Sequence, residues 1–137
     1  MFSYQHQLRV RYGDTDQMGY VYYGNYGYYY EQARSEAIRS LGFSYKELEE
    51  AGVMMPITRM NIKYIHPALY DDLLTIKTTV ADMPHRLITF RYEIFNEKNI
   101  LINEGETQLI FVDAKTRKIR TAPDVLVQKM KPFFVNG

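Results

Sequence analysis

Tyr12-Gly13-Asp14-Thr15-Asp16-Gln17-Met18-Gly19-Tyr20-Val21-Tyr22-Tyr23-Gly24-Asn25-Tyr26 places two carboxylates before a glycine-punctuated turn, and that turn feeds the one long helical pattern in the chain. From Tyr26 the side chains change period. Tyr26, Tyr29, Tyr30, Ala33, Ala37 and Leu41 share one face, with Gln32, Ser35 and Arg39 on the other. Asn25 stands where an N-cap is expected and Gly42 where a C-terminal stop is expected. A helix N-terminus offers unpaired N–H groups and about half a positive charge. A carboxylate facing that end, with an acyl oxygen held between them, has the parts needed to attack a carbonyl.

Working outward, Leu8, Val10 and Tyr12 alternate with Arg9 and Arg11, which predicts a half-buried first strand. Beyond Gly42, Ser44 and Glu47 have capping-box spacing, and Phe43 and Leu48 sit at staple positions, so a short helix is expected up to Gly52. After Pro56 the alternation is that of antiparallel strands. Met60, Ile62 and Tyr64 oppose Arg59, Asn61 and Lys63, with Pro67 closing the strand. Leu74, Ile76, Thr78 and Val80 form the next face, up to a break at Met83-Pro84. Ile88, Phe90, Tyr92 and Ile94 form another, followed by an Asn96–Asn99 turn. Ile100 to Val112 reads as one long strand with a bulge or bend at Gly105. Asp113–Arg117 reads as a turn and Pro123–Met130 as a short terminal helix. The pattern is α+β: one strand, one long helix, then a meander of four strands, in a single domain spanning 1–137.

Composition narrows the function classes. The formal net charge of +1 gives no global pull toward nucleic acid or a membrane surface, so an anionic ligand must be met by local Lys and Arg. The absence of cysteine removes disulfides, thiol catalysis and cysteine-ligated metals. No apolar run approaches the about 20 residues of a membrane span, and the first residues do not read as a signal peptide, which sets a cytoplasmic expectation. His6, His66 and His85 lack metal-ligand spacing, so no metal is expected. Neither a Gly-x-Ser-x-Gly elbow nor a phosphate-binding glycine loop is present.

The ordered run Tyr12, Asp14-Thr15-Asp16, Gly19, Val21-Tyr22-Tyr23 and Asn25-Tyr26, with Glu31 and Ala33-Arg34 further along, resembles the signature of the hotdog-fold acyl-CoA thioesterases, 4-hydroxybenzoyl-CoA thioesterase family. The strand order extends the similarity from about Tyr4 to about Lys131. The resemblance implies a curved antiparallel sheet of about five strands wrapped around one central helix. It implies hydrolysis of an acyl-CoA thioester to a carboxylic acid and coenzyme A, without a cofactor. A homodimer or homotetramer is implied too, with the site between subunits. An acyl carrier protein thioester is the alternative substrate, and a non-hydrolytic acyl-thioester binder the alternative class. A hotdog hydratase would need a His on the motif loop, and none lies between His6 and His66.

By the same resemblance Asp16 aligns with the family's catalytic carboxylate, acting as nucleophile or as base for a water. Asp14 keeps a turn role. A backbone N–H at Tyr23 or Gly24 is expected to point at the thioester oxygen, with Asn25 and Tyr26 binding substrate beside it. Relatives often carry His at the Tyr23 position, so this chain lacks one general acid. Glu31, on the helix, is read as an exposed partner of Arg34 or Ser35. Arg86, Lys118 and Arg120 are the expected contacts for coenzyme A phosphates, with Lys63, Lys115 and Arg117 as further basic candidates. The 13 tyrosines, dense between Tyr20 and Tyr30, suit half-buried packing and subunit contact.

Overall fold

Side-chain alternation builds the sheet. In a computed structural model, which describes residues 1–134, the strands are β1 (Phe2–Arg9), β2 (Val53–Met54), β3 (Ile57–Tyr64), β4 (Leu73–Val80), β5 (Leu87–Phe95), β6 (Leu101–Asp113) and β7 (Ile119–Arg120). The helices are α1 (Tyr26–Ser40), α2 (Tyr45–Glu50) and α3 (Asp124–Met130). Residues 135–137 of the expected domain lie outside the described ones. Five long strands carry the curved antiparallel sheet, and β2 and β7 add two residues each at the C-terminal end of β6. All pairs are antiparallel. In β4 and β5, Leu74, Ile76, Thr78, Val80, Ile88, Phe90, Tyr92 and Ile94 are buried, as their period of two predicts.

The connectivity differs from a four-strand meander. Only β4, β5 and β6 follow one another across the sheet. β1 lies outside β4, and β3 crosses to the other side to pair with β6, with Ile62 opposite Gly105 and Tyr64 opposite Asn103. β3 is therefore an edge, and seven of its eight residues are exposed, Met60 and Tyr64 included. The first strand also starts earlier than its alternation suggests and stops at Arg9. Tyr12 is outside it, exposed in a 3-10 turn over Tyr12–Asp14.

Helix α1 lies across the concave face. Tyr26, Tyr29, Tyr30, Ala33 and Ala37 are buried on the expected stripe, and Arg34 and Ile38 widen it. The helix ends as expected at Gly42, whose φ is +101°. Ser44 caps α2 by accepting the Glu47 amide at 3.2 Å.

Tyr30 explains Gly105. Its ring stacks on Tyr92 at 4.2 Å, and its hydroxyl donates to Asn103 Oδ1. A β-carbon at position 105 would stand 2.6 Å from Tyr30 Cζ. The register runs through Gly105 without a bulge, the shifts falling instead at Ile94/Phe95 and Ile57/Arg59. Gly105 is thus a site of close approach, not a bend. Beside it the Tyr92 and Thr107 hydroxyls share a 2.6 Å bond, and Arg34, 7% exposed, donates to Tyr92 Oη at 3.4 Å.

Candidate active site

The motif folds as a small hairpin in front of α1. Thr15 and Val21 form an antiparallel bridge, Asp16 N donates to Tyr20 O at 2.8 Å, and Gly19 supplies the positive φ of +79° that the turn requires. A second bridge, Tyr20 to Leu69, and the Val21 N to Ala68 O bond of 2.8 Å fasten the hairpin to the loop between β3 and β4.

Asp16 stands half-buried at this turn. Its Oδ1 accepts the Met18 amide at 2.9 Å and the Tyr20 amide at 3.3 Å. Among the described residues Oδ2 carries no hydrogen bond. One oxygen is held by two backbone amides and the other is not.

Asp14 is built differently. It is buried, and its Oδ2 accepts the Tyr29 hydroxyl at 2.9 Å and the Arg11 amide at 3.1 Å, while Oδ1 faces Arg11 Nη2 at 3.3 Å. Burial pushes its carboxyl up, but the Arg11 amide, the Tyr29 hydroxyl and the Arg11 guanidinium together outweigh that and hold it below the usual carboxylate range. Burial, and after it the same contact, pushes the Tyr29 phenol up.

Tyr23–Asn25 form a 3-10 turn leading into α1. The Tyr23 and Gly24 amides come first in that turn and have no intrahelical acceptor. The Tyr23 carbonyl accepts the Tyr64 hydroxyl at 3.1 Å, which ties the turn to the end of β3. Gly24 is covered by the Tyr22 ring, since a β-carbon there would meet Tyr22 Cε2 at 2.7 Å. Asn25 occupies the N-cap position but caps nothing. Its Nδ2 donates to Asp14 O at 2.9 Å, and that carbonyl also accepts the Tyr22 amide at 2.9 Å. Tyr26 is 3% exposed between the Tyr29 and Tyr64 rings, and burial pushes its phenol up to about 12.

Asp16, Tyr23, Gly24, Asn25 and Tyr26 thus share one end of the sheet. Arg86, Lys118 and Arg120 do not. Arg120 pairs with Phe111, and the Ala122 amide donates to His85 O at 2.6 Å beside Arg86. The loop that holds the motif hairpin is fixed instead at Ile102, whose carbonyl accepts the Ile65 and His66 amides. Phe111 lies nine positions along the strand from Ile102, about 30 Å away. Glu31 is exposed on α1, and Arg34 turns inward to Tyr92 rather than pairing with it. Lys63, another basic candidate, pairs with Glu104 at 4.0 Å on the convex face.

Two contacts at this end of the sheet carry no sequence signal. The stripe position of Tyr29 marks it for packing and says nothing of its bond to Asp14. Tyr64 reaches Tyr23 from 41 positions away, with no local signal. Among the described residues no three His, Asp or Glu side chains cluster as a metal site, and no helix is long and apolar enough to cross a membrane.

Residues 10–130 match the thioesterase-like superfamily. The chain is 36% identical over 124 residues to the acyl-CoA thioester hydrolase YbgC of Escherichia coli strain CFT073, covering 90% of this chain and 92% of that one. It is similar to the crystal structure of a DHNA-CoA thioesterase from Staphylococcus aureus at TM-score 0.84 and 34% identity, covering 98% of this chain and 85% of that one. A 4-hydroxybenzoyl-CoA thioesterase variant solved with 4-hydroxybenzoyl-CoA superposes at TM-score 0.81 and 22% identity, covering 94% and 99%, and shares the fold.

Proposed function

The chain belongs to the thioesterase-like superfamily, and from that premise we propose that it is an acyl-CoA thioester hydrolase. Water and an acyl-CoA become a carboxylate, a proton and the free thiol of coenzyme A, as the carbonyl–sulfur bond breaks and a carbonyl–oxygen bond forms. The observation that carries this reading is the Asp16 carboxylate, oriented through Oδ1 by the Met18 and Tyr20 amides on the hairpin that leads into the Tyr23–Gly24 turn. Oδ2 is the oxygen assigned either to attack the thioester carbonyl or to take a proton from water that does. The Tyr23 and Gly24 amides are assigned to the carbonyl oxygen, where negative charge develops.

The working form in this reading is a cytoplasmic homodimer, or a homotetramer made of two such pairs. The exposed β3 edge, with Ile57, Met60 and Tyr64 uncovered, supports it. Antiparallel pairing of β3 with its own copy would lay the Arg120 end of one sheet beside the Asp16 end of the other. Such pairing offers Arg86, Lys118 and Arg120 a route to coenzyme A phosphates that a single chain denies them.

The test is release of coenzyme A thiol from a panel of acyl-CoA esters differing in chain length and aromaticity, with acyl carrier protein thioesters alongside. Turnover on the coenzyme A esters supports the reading. Tight binding of every ester without thiol release would make the protein an acyl-thioester binder instead.

A further inference from the structure

Asn25 sits at the entrance of a fifteen-residue helix, yet its side chain accepts no amide of that helix. Its amide turns backward across the motif to Asp14 O, 2.9 Å away, where the Tyr22 amide already donates at the same distance. The other end of Asp14 is held as firmly. Its carboxylate takes the Tyr29 hydroxyl from the first turn of α1 and the Arg11 amide from the preceding segment. Asp14 is therefore a joint with two arms. The carboxylate arm anchors it to the helix, and the carbonyl arm anchors it to the Tyr22–Asn25 turn. Asp16 follows two residues later, and the Tyr23 and Gly24 amides lie between the two groups that grip the carbonyl arm.

We propose that Asn25 is a positioning residue, which through Asp14 O fixes the separation of the Asp16 carboxylate from the Tyr23 and Gly24 amides. The proposal rests on the thioesterase reading above. Neither element is rigid by itself. Within the hairpin over Thr15–Val21 a single bridge joins the two arms, its other bridge running to Leu69 in the β3–β4 loop, and the Tyr23–Asn25 turn is only three residues long. Reaction geometry is unforgiving, a misplacement of about 1 Å costing on the order of a hundredfold in rate. A tether between the two halves thus acts on turnover more than on substrate affinity, because it touches no substrate.

The decisive variants are Asn25→Asp and Asn25→Ala, with Tyr29→Phe to loosen the carboxylate arm. Steady-state kcat and KM are measured on the best acyl-CoA ester, with thermal unfolding of each variant. All three are expected to lower kcat about tenfold or more, with KM changed less than about threefold. Asn25→Asp carries a further signature. Ionised, its carboxylate opposes the Asp14 carbonyl, whereas protonated it regains a donor. Its kcat relative to wild type is therefore expected to rise as pH falls toward the carboxyl's ordinary pKa of about 4, and Asn25→Ala shows no such recovery. A raised KM with normal kcat would overturn the proposal and place Asn25 on the substrate. Normal kcat with a lowered unfolding temperature would overturn it in favour of a purely structural role. Amide hydrogen exchange needs no substrate and so separates this proposal from the thioesterase reading. Faster exchange at the Tyr22 amide in Asn25→Ala supports the tether even for a protein that releases no thiol. Unchanged exchange overturns it.

Discussion

Tyr30 closes over Gly105 from a helix that precedes it by 75 positions, leaving 2.6 Å between Tyr30 Cζ and the place a β-carbon would take. The contact sets how near α1 comes to the centre of the sheet. Gly105→Ala is expected to cost about 1–3 kcal/mol, the range for forcing a methyl into a filled core. Tyr30→Phe does not rescue it, because ring carbons collide as well as the hydroxyl. Tyr30→Ala is expected to cost less in the Gly105→Ala background than in wild type. Denaturant unfolding of the four proteins measures this coupling, and strictly additive losses would disprove the clash.

Asp16→Asn removes the charge and keeps the shape. kcat is expected to fall by about a hundredfold or more, with circular dichroism and mass unchanged. Near-normal turnover would shift the role to Glu31, the exposed carboxylate on α1.

Asp14 also contributes to stability, and the sign of that contribution's pH dependence follows from its lowered pKa. A carboxyl depressed in the folded state contributes fully above its unfolded value, about 3.9, and loses that contribution as pH falls through the folded value. The gap in unfolding temperature between wild type and Asp14→Asn is thus expected to be full at neutral pH and to close below about pH 4. A gap that grows on acidification would contradict the ionised Asp14 held by Arg11 and Tyr29.

Light scattering at micromolar concentration is expected to give a dimer or tetramer. Met60→Glu, placed on the exposed β3 edge, is expected to shift the mass toward monomer and to lower activity per chain together. A monomeric wild type that remains fully active would exclude a site shared between subunits.

Salt tests the basic cluster. Phosphate attraction is screened within about 8 Å at physiological ionic strength. Added salt, Arg86→Ala and Arg120→Ala are each expected to raise KM for a coenzyme A ester and leave kcat nearly unchanged. A truncated thioester lacking the nucleotide should be indifferent to all three. Equal losses on both substrates would return these residues to folding or chemistry.

Local patterns were legible and pairings were not. Periodicity and Gly42 bounded α1, since a helix stripe and its stop are written in adjacent residues. The edge position of β3 was invisible, because Met60, Ile62 and Tyr64 alternate just as they would between two neighbours. Tyr12 continued an apparent alternation, but Asp14 captures the Arg11 amide and pulls the chain into a 3-10 turn. Gly105 was visible as special, yet the reason for it belongs to Tyr30. In the site, the Asp-Thr-Asp run marked the hairpin and left open what each carboxylate bonds. Asn25 stands at the N-cap as expected, yet its bond was hidden for a physical reason: an N-cap uses the side-chain oxygen as acceptor, and here the amide nitrogen is used instead, as donor to Asp14 O.

The partnership of β1 with β4, which runs from Phe2 opposite Val80 to Arg9 opposite Leu73, governs how the chain emerges during synthesis. The first strand leaves the ribosome some seventy residues ahead of its neighbour, and α1 appears after β1 but before β4, the other long strand it packs on. The β4–β5 and β5–β6 hairpins close over short turns, so they form early, while β1 must await a long loop closure. A nascent chain arrested before Val80 is expected to be cut by protease throughout its tyrosine-rich stretch. One arrested with β6 free of the exit tunnel is expected to resist. Protection of α1 in the shorter chain would mean that the helix organises the sheet rather than the reverse.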